Sequence, residues 1–189
     1  NIACDKYATY EVLKSQHVPI IEHSIVFNPT QRSSYIPSNG LWQSIINYYM
    51  QYGPQVVVKP NNGSEGQGVC LCNNIDEVKQ NIENLFKTNS SLSICPYYDI
   101  TTEYRTFYLN GECLLTYGKT KPFVIGDGVH TVADLIAKLN LPDNNIVKEN
   151  IGNIDTEYIP SSGEKVEISW KHNLSGGATP KILEDKKLK

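Results

Sequence analysis

The segment from Val56 to Val69, VVVKPNNGSEGQGV, holds the residues whose types and spacing point most directly to chemistry. Lys59 ends a run of β-branched residues that predicts a buried strand, and a lysine at a strand end is a point charge suited to a phosphate. Gly63, Gly66 and Gly68 follow, and glycines let backbone N–H groups approach phosphate oxygens closely. The segment is not a Walker A loop, because no Lys-Ser/Thr pair follows the last glycine, nor does it fit GxGxxG. Its chemistry leaves two alternatives, a phosphate-covering loop and an ordinary Gly-rich hairpin loop.

The cysteines and histidines favour neither a disulfide framework nor a metal site. An odd number of cysteines without CxxC spacing is unlike the ligand pattern of a zinc site. Cys70 and Cys72 are two positions apart, so in a strand both would face the same side. We interpret them as buried thiols in a reducing compartment, with a redox or metal role as the alternative. The histidines share no ligand spacing with a carboxylate, so we expect a cytoplasmic protein without a structural metal. The residues are Cys4, Cys70, Cys72, Cys95 and Cys113, and His17, His23, His130 and His172.

The composition excludes several classes of protein. The chain has 189 residues, of which 40% are hydrophobic and 20% charged, with a formal net charge of −3. This is a globular composition, and the absence of a basic excess argues against nucleic acid or an anionic membrane as partner. No stretch approaches the roughly 18 apolar residues that a membrane helix requires. Because the first residue is Asn1, we expect a piece of a longer chain.

The elements that must position these residues follow from hydrophobic periodicity and turn signals. The first half is predicted to contain three helices: one over 5–16, one over 41–52 capped by Ser38 or Asn39, and one from Asn73 or Asn74 to about Lys87. The apolar face of the first helix is predicted to consist of Tyr7, Tyr10, Val12 and Leu13. Strands are predicted over 20–27, 56–59, 68–72 and 92–98. The second half is rich in strands.

The second half begins with a hairpin around Asn110-Gly111 that pairs 103–109 with 112–118. The other predicted features are a short helix capped by Thr131, a polar excursion over 141–156, a strand over 166–170 and a loop over 172–180. The charged end, KILEDKKLK, is interpreted as a solvated tail that holds Glu184 and Asp185.

Five blocks occur in a characteristic order: DK at Asp5, VVVKPNNGSEGQGV, EYR at Glu103, LTYGKTKPFVIGDGVHT, and NLSGGATP at Asn173. This pattern resembles the ATP-grasp superfamily of carboxylate–amine ligases, and within it the ligase module of cyanophycin synthetase. Glutathione synthetases and glutamate ligases share the pattern more loosely. The resemblance implies an α+β ATP-grasp fold of two lobes, 1–98 and 99–189. The second lobe is expected to be partial, lacking its C-terminal portion, with a small helical excursion inserted near 127–157.

The resemblance also implies roles in binding ATP. Lys59 corresponds to a lysine that contacts the α- and β-phosphates, and Lys6 to an earlier lysine that helps to hold the nucleotide, with a helix-surface charge as its alternative. The loop Asn61 to Gly68 would fold over the phosphates. Glu103 would accept hydrogen bonds from the ribose hydroxyls, with an exposed hairpin charge as its alternative. The full set of expected nucleotide contacts is Lys6, Lys59, Gly63, Ser64, Gly66, Gly68, Cys95, Tyr97 and Glu103. Cys95 stands at a hinge position where many relatives have Glu or Gln.

Transfer of the phosphoryl group would involve Arg105, Lys119, Lys121 and Asn173, with surface charge as the alternative for the two lysines. The implied reaction is ATP-driven amide formation through an acylphosphate, with amino acids or peptides as substrates and Mg²⁺ as cofactor. No residue of this chain is predicted to bind the metal, because family members hold it with carboxylates on late strands that we do not identify after Pro180. The chain alone is therefore expected to be inactive. A homo-oligomer is a possible state of the protein on which the sequence does not decide.

Two other functions remain as alternatives. One is a regulatory or scaffold module that binds nucleotide without turnover. The other is a kinase-like phosphotransferase that would release a phosphorylated product without using an amine.

Overall fold

Three consecutive valines, Val56 to Val58, are buried in the centre of the first of two compact units of the computed structural model. The structure describes residues 2–30, 41–139 and 154–185. Unit 1 comprises residues 1–98 and unit 2 residues 99–189. The helices are α1 Lys6–Ser15, α2 Leu41–Tyr52, α3 Ile75–Leu85 and α4 Val132–Ala137. The strands are β1 Ser24–Phe27, β2 Val56–Pro60, β3 Cys70–Cys72, β4 Ser91–Pro96, β5 Thr102–Leu109, β6 Glu112–Thr120, β7 Phe123–Ile125, β8 Lys165–Glu167 and β9 Thr179–Asp185.

Unit 1 is built on an antiparallel sheet of four strands in the order β1-β4-β2-β3. Alternation along the strands sends one set of side chains into the core, where they pack with α2 and α3. The core set is Val26, Ile45, Val56, Val58, Cys72, Val78, Ile82, Leu92 and Ile94. The residues between them, among which are Val57, Lys59, Ser93 and Cys95, therefore belong to the opposite face of the sheet.

The helices of unit 1 begin where the sequence predicts. The Asp5 side chain accepts a hydrogen bond from the Ala8 N–H at the start of α1, and Asn74 accepts one from the Glu77 N–H at the start of α3. The bounds of α2 agree with the predicted 41–52, while its predicted caps lie outside the described residues. The apolar face predicted for α1 is confirmed at Tyr10, which is 2% exposed, and is wrong at Val12, which is 45% exposed.

Several predicted strands are shorter in the structure. The strand predicted over 20–27 begins at Ser24, and the strand predicted over 68–72 begins at Cys70, since Gly68 has a positive φ of 64° that a strand does not accommodate. Likewise the strand predicted over 166–170 is the short β8. Cys70 and Cys72 do face the core together, but Cys4 is exposed, so not every thiol is buried as predicted.

Unit 2 contains a three-stranded sheet in the order β5-β6-β9 and a two-stranded sheet of β7 and β8. The hairpin between β5 and β6 turns at Asn110 and Gly111 with positive φ at both, as the sequence predicts. Thr131 and Asp134 form a capping box at the start of α4, which packs its apolar side on a second small core. Most of the predicted excursion over 141–156 lies outside the described residues.

The expectation that no strand follows Pro180 is wrong, because a strand extends to Asp185, although the side chains over 181–184 are exposed as predicted. Residues 179–185 form β9, which pairs antiparallel with β6 from Thr120↔Thr179 to Leu115↔Asp185. The physical reason is that the outer edge of β6 presents unpaired backbone N–H and C=O groups, and β9 satisfies them whatever the charge of its side chains. Among the helices of the described residues, none combines the length and the apolar character needed to cross a bilayer.

Candidate functional site

Lys59 lies near the end of β2, on the face of the sheet opposite the core. It is only partly buried, and none of the ion pairs among the described residues involves it. Its ammonium group contacts the Cys95 thiol of the neighbouring β4. Burial raises the pKa of that thiol, while the charge and hydrogen bond of Lys59 act in the opposite direction. Lys59 is therefore a cation without a protein counter-ion in the described chain, held against a neutral thiol.

The loop after β2 is built from tight turns. Its N–H groups at Gln67 and Val69 donate to the Ser64 and Gly66 carbonyl oxygens at 3.2 and 3.4 Å. At Gly68, where φ is positive, a Cβ atom would lie 3.0 Å from Pro60 Cγ and 3.1 Å from a Leu85 methyl carbon. Glycine at this position is thus required both by the backbone conformation and by close packing.

Lys6, the first residue of α1, holds the beginning of this loop. Its Nζ donates to the carbonyl oxygens of Pro60 at 2.9 Å, Asn61 at 3.2 Å and Gly63 at 2.7 Å. Burial lowers the pKa of Lys6, and the nearby positive charge of Lys59 lowers it further. The Lys6 side chain is therefore not the helix-surface charge that the sequence left as an alternative.

Asn61 joins the loop to the start of α1 as well. Its side chain is 1% exposed, and its Oδ1 accepts a hydrogen bond from the Tyr7 N–H at 3.0 Å. A further hydrogen bond links the Asn61 side chain to Asp5 and contributes to the lowered pKa of that carboxyl, of which the Ala8 N–H is the larger cause. The Lys6 N–H donates to the Asn61 carbonyl oxygen at 3.2 Å. Loop and helix thus form one hydrogen-bonded assembly.

At the hinge after β4, the backbone N–H of Tyr97, an expected nucleotide contact, is already used inside the protein. The Tyr97 N–H donates to the Gln55 carbonyl oxygen at 3.1 Å, and Pro96 has no N–H to donate. Cys95 is buried in the sheet at the register position opposite Val57. In this structure a nucleobase contact through the Tyr97 N–H is therefore excluded.

In unit 2, Glu103 and Lys119 pair across β5 and β6. Lys119 Nζ lies 2.5 Å from Glu103 Oε1, and the exposed fractions of the two side chains are 7% and 41%. Arg105 follows on the same face of β5 and is exposed. The structure thus brings these three predicted residues together at one end of the hairpin.

Lys121 and Asn173 have other surroundings. Lys121 Nζ lies 2.6 Å from Asp99 Oδ1 and 3.6 Å from Glu167 Oε2, in an ion-pair network of unit 2. Asn173 precedes a short 3-10 turn over Leu174–Gly176, and its carbonyl oxygen accepts hydrogen bonds from the Gly176 and Ala178 N–H groups. A phosphate would have to compete with two carboxylates for Lys121.

Two curated relatives are similar to the chain in sequence, although no family model matches it. The glutathione biosynthesis bifunctional protein GshAB of Streptococcus agalactiae is 27% identical over 153 residues, with 70% of this chain and 20% of that protein covered. The cyanophycin synthetase of a Nostoc species is 25% identical over 144 residues, with 76% of this chain and 14% of that protein covered.

A solved structure resembles the chain over almost its whole length. The D-alanine–D-alanine ligase of Bacillus anthracis superposes with a TM-score of 0.56 at 15% sequence identity, covering 97% of this chain and 42% of that chain. These similarities support the predicted relationship to the ATP-grasp superfamily of carboxylate–amine ligases. The predicted mixed α+β fold is confirmed. The chain spans a fifth or less of the length of the two curated relatives.

Three residues near the candidate site were missed by sequence reasoning. Ser93 pairs with Lys59 in the sheet, and its Oγ is buried without a hydrogen-bond partner among the described residues. His23 lies close enough to Lys59 and Lys6 for their charges to lower its pKa, in addition to the larger effect of burial. The third is Asn61 as an anchor of the loop. The alternation in SLSICP could have placed Ser93 beside Lys59, but nothing local in the sequence points to His23.

Proposed function

We propose that this chain is the nucleotide-binding part of an ATP-dependent carboxylate–amine ligase. The observation that carries the proposal is Lys59, a partly buried cation that no carboxylate of the described chain neutralises, next to a loop rich in glycine. A polyphosphate supplies the missing negative charge, and the loop supplies backbone donors. The names of the relatives support a ligase or synthetase, since they describe a glutathione biosynthesis protein, a cyanophycin synthetase and a D-alanine–D-alanine ligase. ATP as the ligand is what the resemblance of the five sequence blocks to the ATP-grasp superfamily implies.

The reaction that fits this family is amide formation in two steps. A substrate carboxylate oxygen attacks the γ-phosphorus of ATP, the bond to ADP breaks, and an acylphosphate forms. An amine then attacks the acyl carbon, inorganic phosphate leaves, and the nitrogen loses a proton. Phosphoryl transfer depends mainly on positioning and charge neutralisation, which are the tasks assigned here to Lys59 and the loop. Amino acids or short peptides are the proposed carboxylate and amine substrates.

Within unit 2, Glu103 and Arg105 are proposed as ligand contacts. Glu103 would accept hydrogen bonds from the ribose hydroxyls, with Lys119 holding its carboxylate in place. Arg105, which is exposed on the same face, would bind transferred phosphate bidentately. Asn173 is retained as a phosphate contact, and Lys121 only as a cation that would first have to leave Asp99 and Glu167.

The described residues do not fit a magnesium site. They contain no group of three or more His, Cys, Asp or Glu side chains placed to hold a metal ion, and no step above is assigned to one. We keep the earlier proposal that the Mg²⁺ ligands of the ligase lie outside this chain. A nucleotide-binding module without turnover stays the second candidate function. A cytoplasmic location is also part of the proposal.

Release of ADP distinguishes these functions. The complete protein of which this chain is proposed to be a part is incubated with ATP in a magnesium buffer and a panel of amino acids and short peptides, and ADP is measured for each carboxylate with and without an amine. Release that requires both substrates supports the ligase. Release with the carboxylate alone identifies a phosphotransferase, and ATP binding without release under any condition identifies the non-catalytic module.

A further inference from the structure

Three Asn-Gly pairs occur in the sequence, beginning at Asn39, Asn62 and Asn110. An asparagine followed by glycine loses its side-chain amide readily, because the glycine nitrogen can attack the side-chain carbonyl carbon and no Cβ atom obstructs its approach. The pair at Asn39 lies outside the described residues. The other two asparagines are both exposed, so the backbone around each of them decides how fast it reacts.

The peptide group between Asn62 and Gly63 is not held in place. Within the described residues, neither the Asn62 C=O nor the Gly63 N–H takes part in a hydrogen bond. The groups on either side are fixed, since Lys6 Nζ donates to the Asn61 carbonyl oxygen at 3.2 Å and to the Gly63 carbonyl oxygen at 2.7 Å. A free peptide group between two fixed ones can turn about the Asn62 ψ and Gly63 φ angles without moving its neighbours.

The pair at Asn110 is restrained by the hairpin turn. Asn110 and Gly111 have φ angles of 51° and 82°, and the flanking residues Leu109 and Glu112 pair across β5 and β6. Turning Asn110 ψ towards its own side chain would hold a non-glycine residue at positive φ, in a region that glycine alone occupies readily. Asn62 is not among the residues with positive φ, so it does not meet this obstacle.

Asn61, the neighbour of Asn62, is protected for other reasons. It is 1% exposed, and its Oδ1 accepts a hydrogen bond from the Tyr7 N–H at 3.0 Å. The residue after it is an asparagine, whose Cβ atom obstructs attack by its nitrogen. Of the two adjacent asparagines, only Asn62 combines exposure, a following glycine and an unrestrained peptide group.

We propose that Asn62 is a site of spontaneous covalent modification, at which the side-chain amide is lost through a cyclic imide formed with Gly63. The Gly63 nitrogen gives its proton to hydroxide and attacks Asn62 Cγ, the bond from Cγ to the amide nitrogen breaks, and ammonia leaves. Water then opens the ring at either carbonyl group and leaves aspartate or isoaspartate. The sum consumes one water molecule and releases one ammonia, so neither an oxidant nor an enzyme is needed.

Either product places a new carboxylate in the loop that follows Lys59. Isoaspartate also lengthens the backbone between the Asn61 and Gly63 carbonyl groups, which Lys6 now holds together. If this loop lies next to a polyphosphate, the added negative charge repels it, and the modification lowers the affinity for ATP. This consequence rests on the proposed function, whereas the modification itself does not.

The modification is measured on the unchanged protein during incubation at mildly alkaline pH. Peptide mapping by mass spectrometry gives the converted fraction of Asn62 and of Asn110, and electron-transfer fragmentation distinguishes aspartate from isoaspartate. We expect Asn62 to react about tenfold faster than Asn110 or more, the factor that a strained backbone at Asn110 should supply. In urea the three Asn-Gly pairs should react at similar rates, because the turn and the loop are lost. Equal rates at Asn62 and Asn110 in the folded protein would overturn the proposal.

The consequence for ATP is measured as affinity before and after the same incubation. The unchanged protein should lose affinity with time, whereas Asn62→Gln should not, because its longer side chain closes an imide ring much more slowly. Asn62→Asp should bind ATP about three- to tenfold more weakly at low salt, and added salt should reduce the difference. Asn110→Asp carries the same change of charge in the hairpin turn and should leave the affinity unchanged.

The outcomes separate the two parts of the inference. An unaltered affinity both in Asn62→Asp and in the incubated protein would overturn the consequence for ATP, while faster reaction at Asn62 would still support the modification site. If the fresh protein does not bind ATP at all, the proposed function fails, and the rates at Asn62 and Asn110 alone decide the inference.

Discussion

Glu103 and Lys119 form an ion pair in which the two partners differ sharply in exposure: 41% of the glutamate side chain is accessible, against 7% of the lysine. The pair joins β5 to β6 at directly opposed register positions. Water can hydrate the glutamate if its partner is lost, but it cannot hydrate the lysine. The two halves of the pair are therefore not equivalent for stability.

The stability effect of this pair is expected to be asymmetric. Glu103→Gln leaves a buried ammonium without a counter-ion and should lower the free energy of unfolding by about 1–3 kcal/mol. Lys119→Met leaves a carboxylate that is partly hydrated and adds apolar contact, so its effect should stay within about 1 kcal/mol. Urea unfolding of both variants measures the difference. Equal losses, or a larger loss for Lys119→Met, would show that the lysine is better hydrated than its burial indicates.

Gly68→Ala should destabilise the loop more than a matched glycine substitution in unit 2. Alanine at a positive φ costs about 1–2 kcal/mol, and the close approach of Pro60 and Leu85 adds a packing cost of about 1–3 kcal/mol. The control is Gly111→Ala, since Gly111 has a φ of 82° but nothing within 4 Å of the added carbon. Thermal unfolding should separate the two. Identical shifts would mean that the loop moves freely away from Pro60.

The pKa of His23 should change with the charge around Lys59 and Lys6. Burial is the main cause of its lowered pKa, and the charges of Lys59 and Lys6 contribute. A bound ATP should therefore raise the pKa of His23, and so should Lys59→Met without nucleotide, whereas Lys79→Met should not. Imidazole signals followed by NMR against pH measure this. An unchanged pKa on adding saturating ATP would place the phosphates away from these lysines.

The same shift has a consequence for stability. Because the pKa of His23 is lower in the folded than in the unfolded state, the unfolded state binds the proton more readily below about pH 6.5. His23 therefore favours folding fully at neutral pH and progressively less as the pH falls towards its folded pKa. The NMR titration of His23 that detects bound ATP thus also gives the pH range in which this histidine lowers the stability of unit 1.

Elements with strong local signals could be predicted from the sequence. The hairpin at Asn110-Gly111 and the helices capped by Asn74 and Thr131 have such signals, since a turn or a cap needs only neighbouring residues. The strand β9 could not be predicted, because KILED is charged and becomes a strand only through pairing with β6, far upstream. Long-range backbone pairing leaves little trace in a single segment.

Some features of the candidate site could likewise be predicted from local sequence, and others could not. Lys59 and the glycine-rich loop follow from residue types and spacing within one segment. The three carbonyl acceptors of Lys6 do not, since they lie 54 to 57 positions further along the chain. The burial of Lys119 likewise depends on tertiary packing that no local pattern reveals.

The central claim, that Lys59 binds the phosphates of a nucleotide, is tested most directly by calorimetric titration of ATP and of adenosine into the protein and its Lys59→Met variant. Loss of one charge-assisted contact, about 1.5–3 kcal/mol, should weaken ATP about ten- to a hundred-fold and leave adenosine unchanged. Lys79→Met, the matched control, should bind both ligands as the unchanged protein does. An equal loss for ATP and adenosine, or no loss for ATP, would contradict the claim.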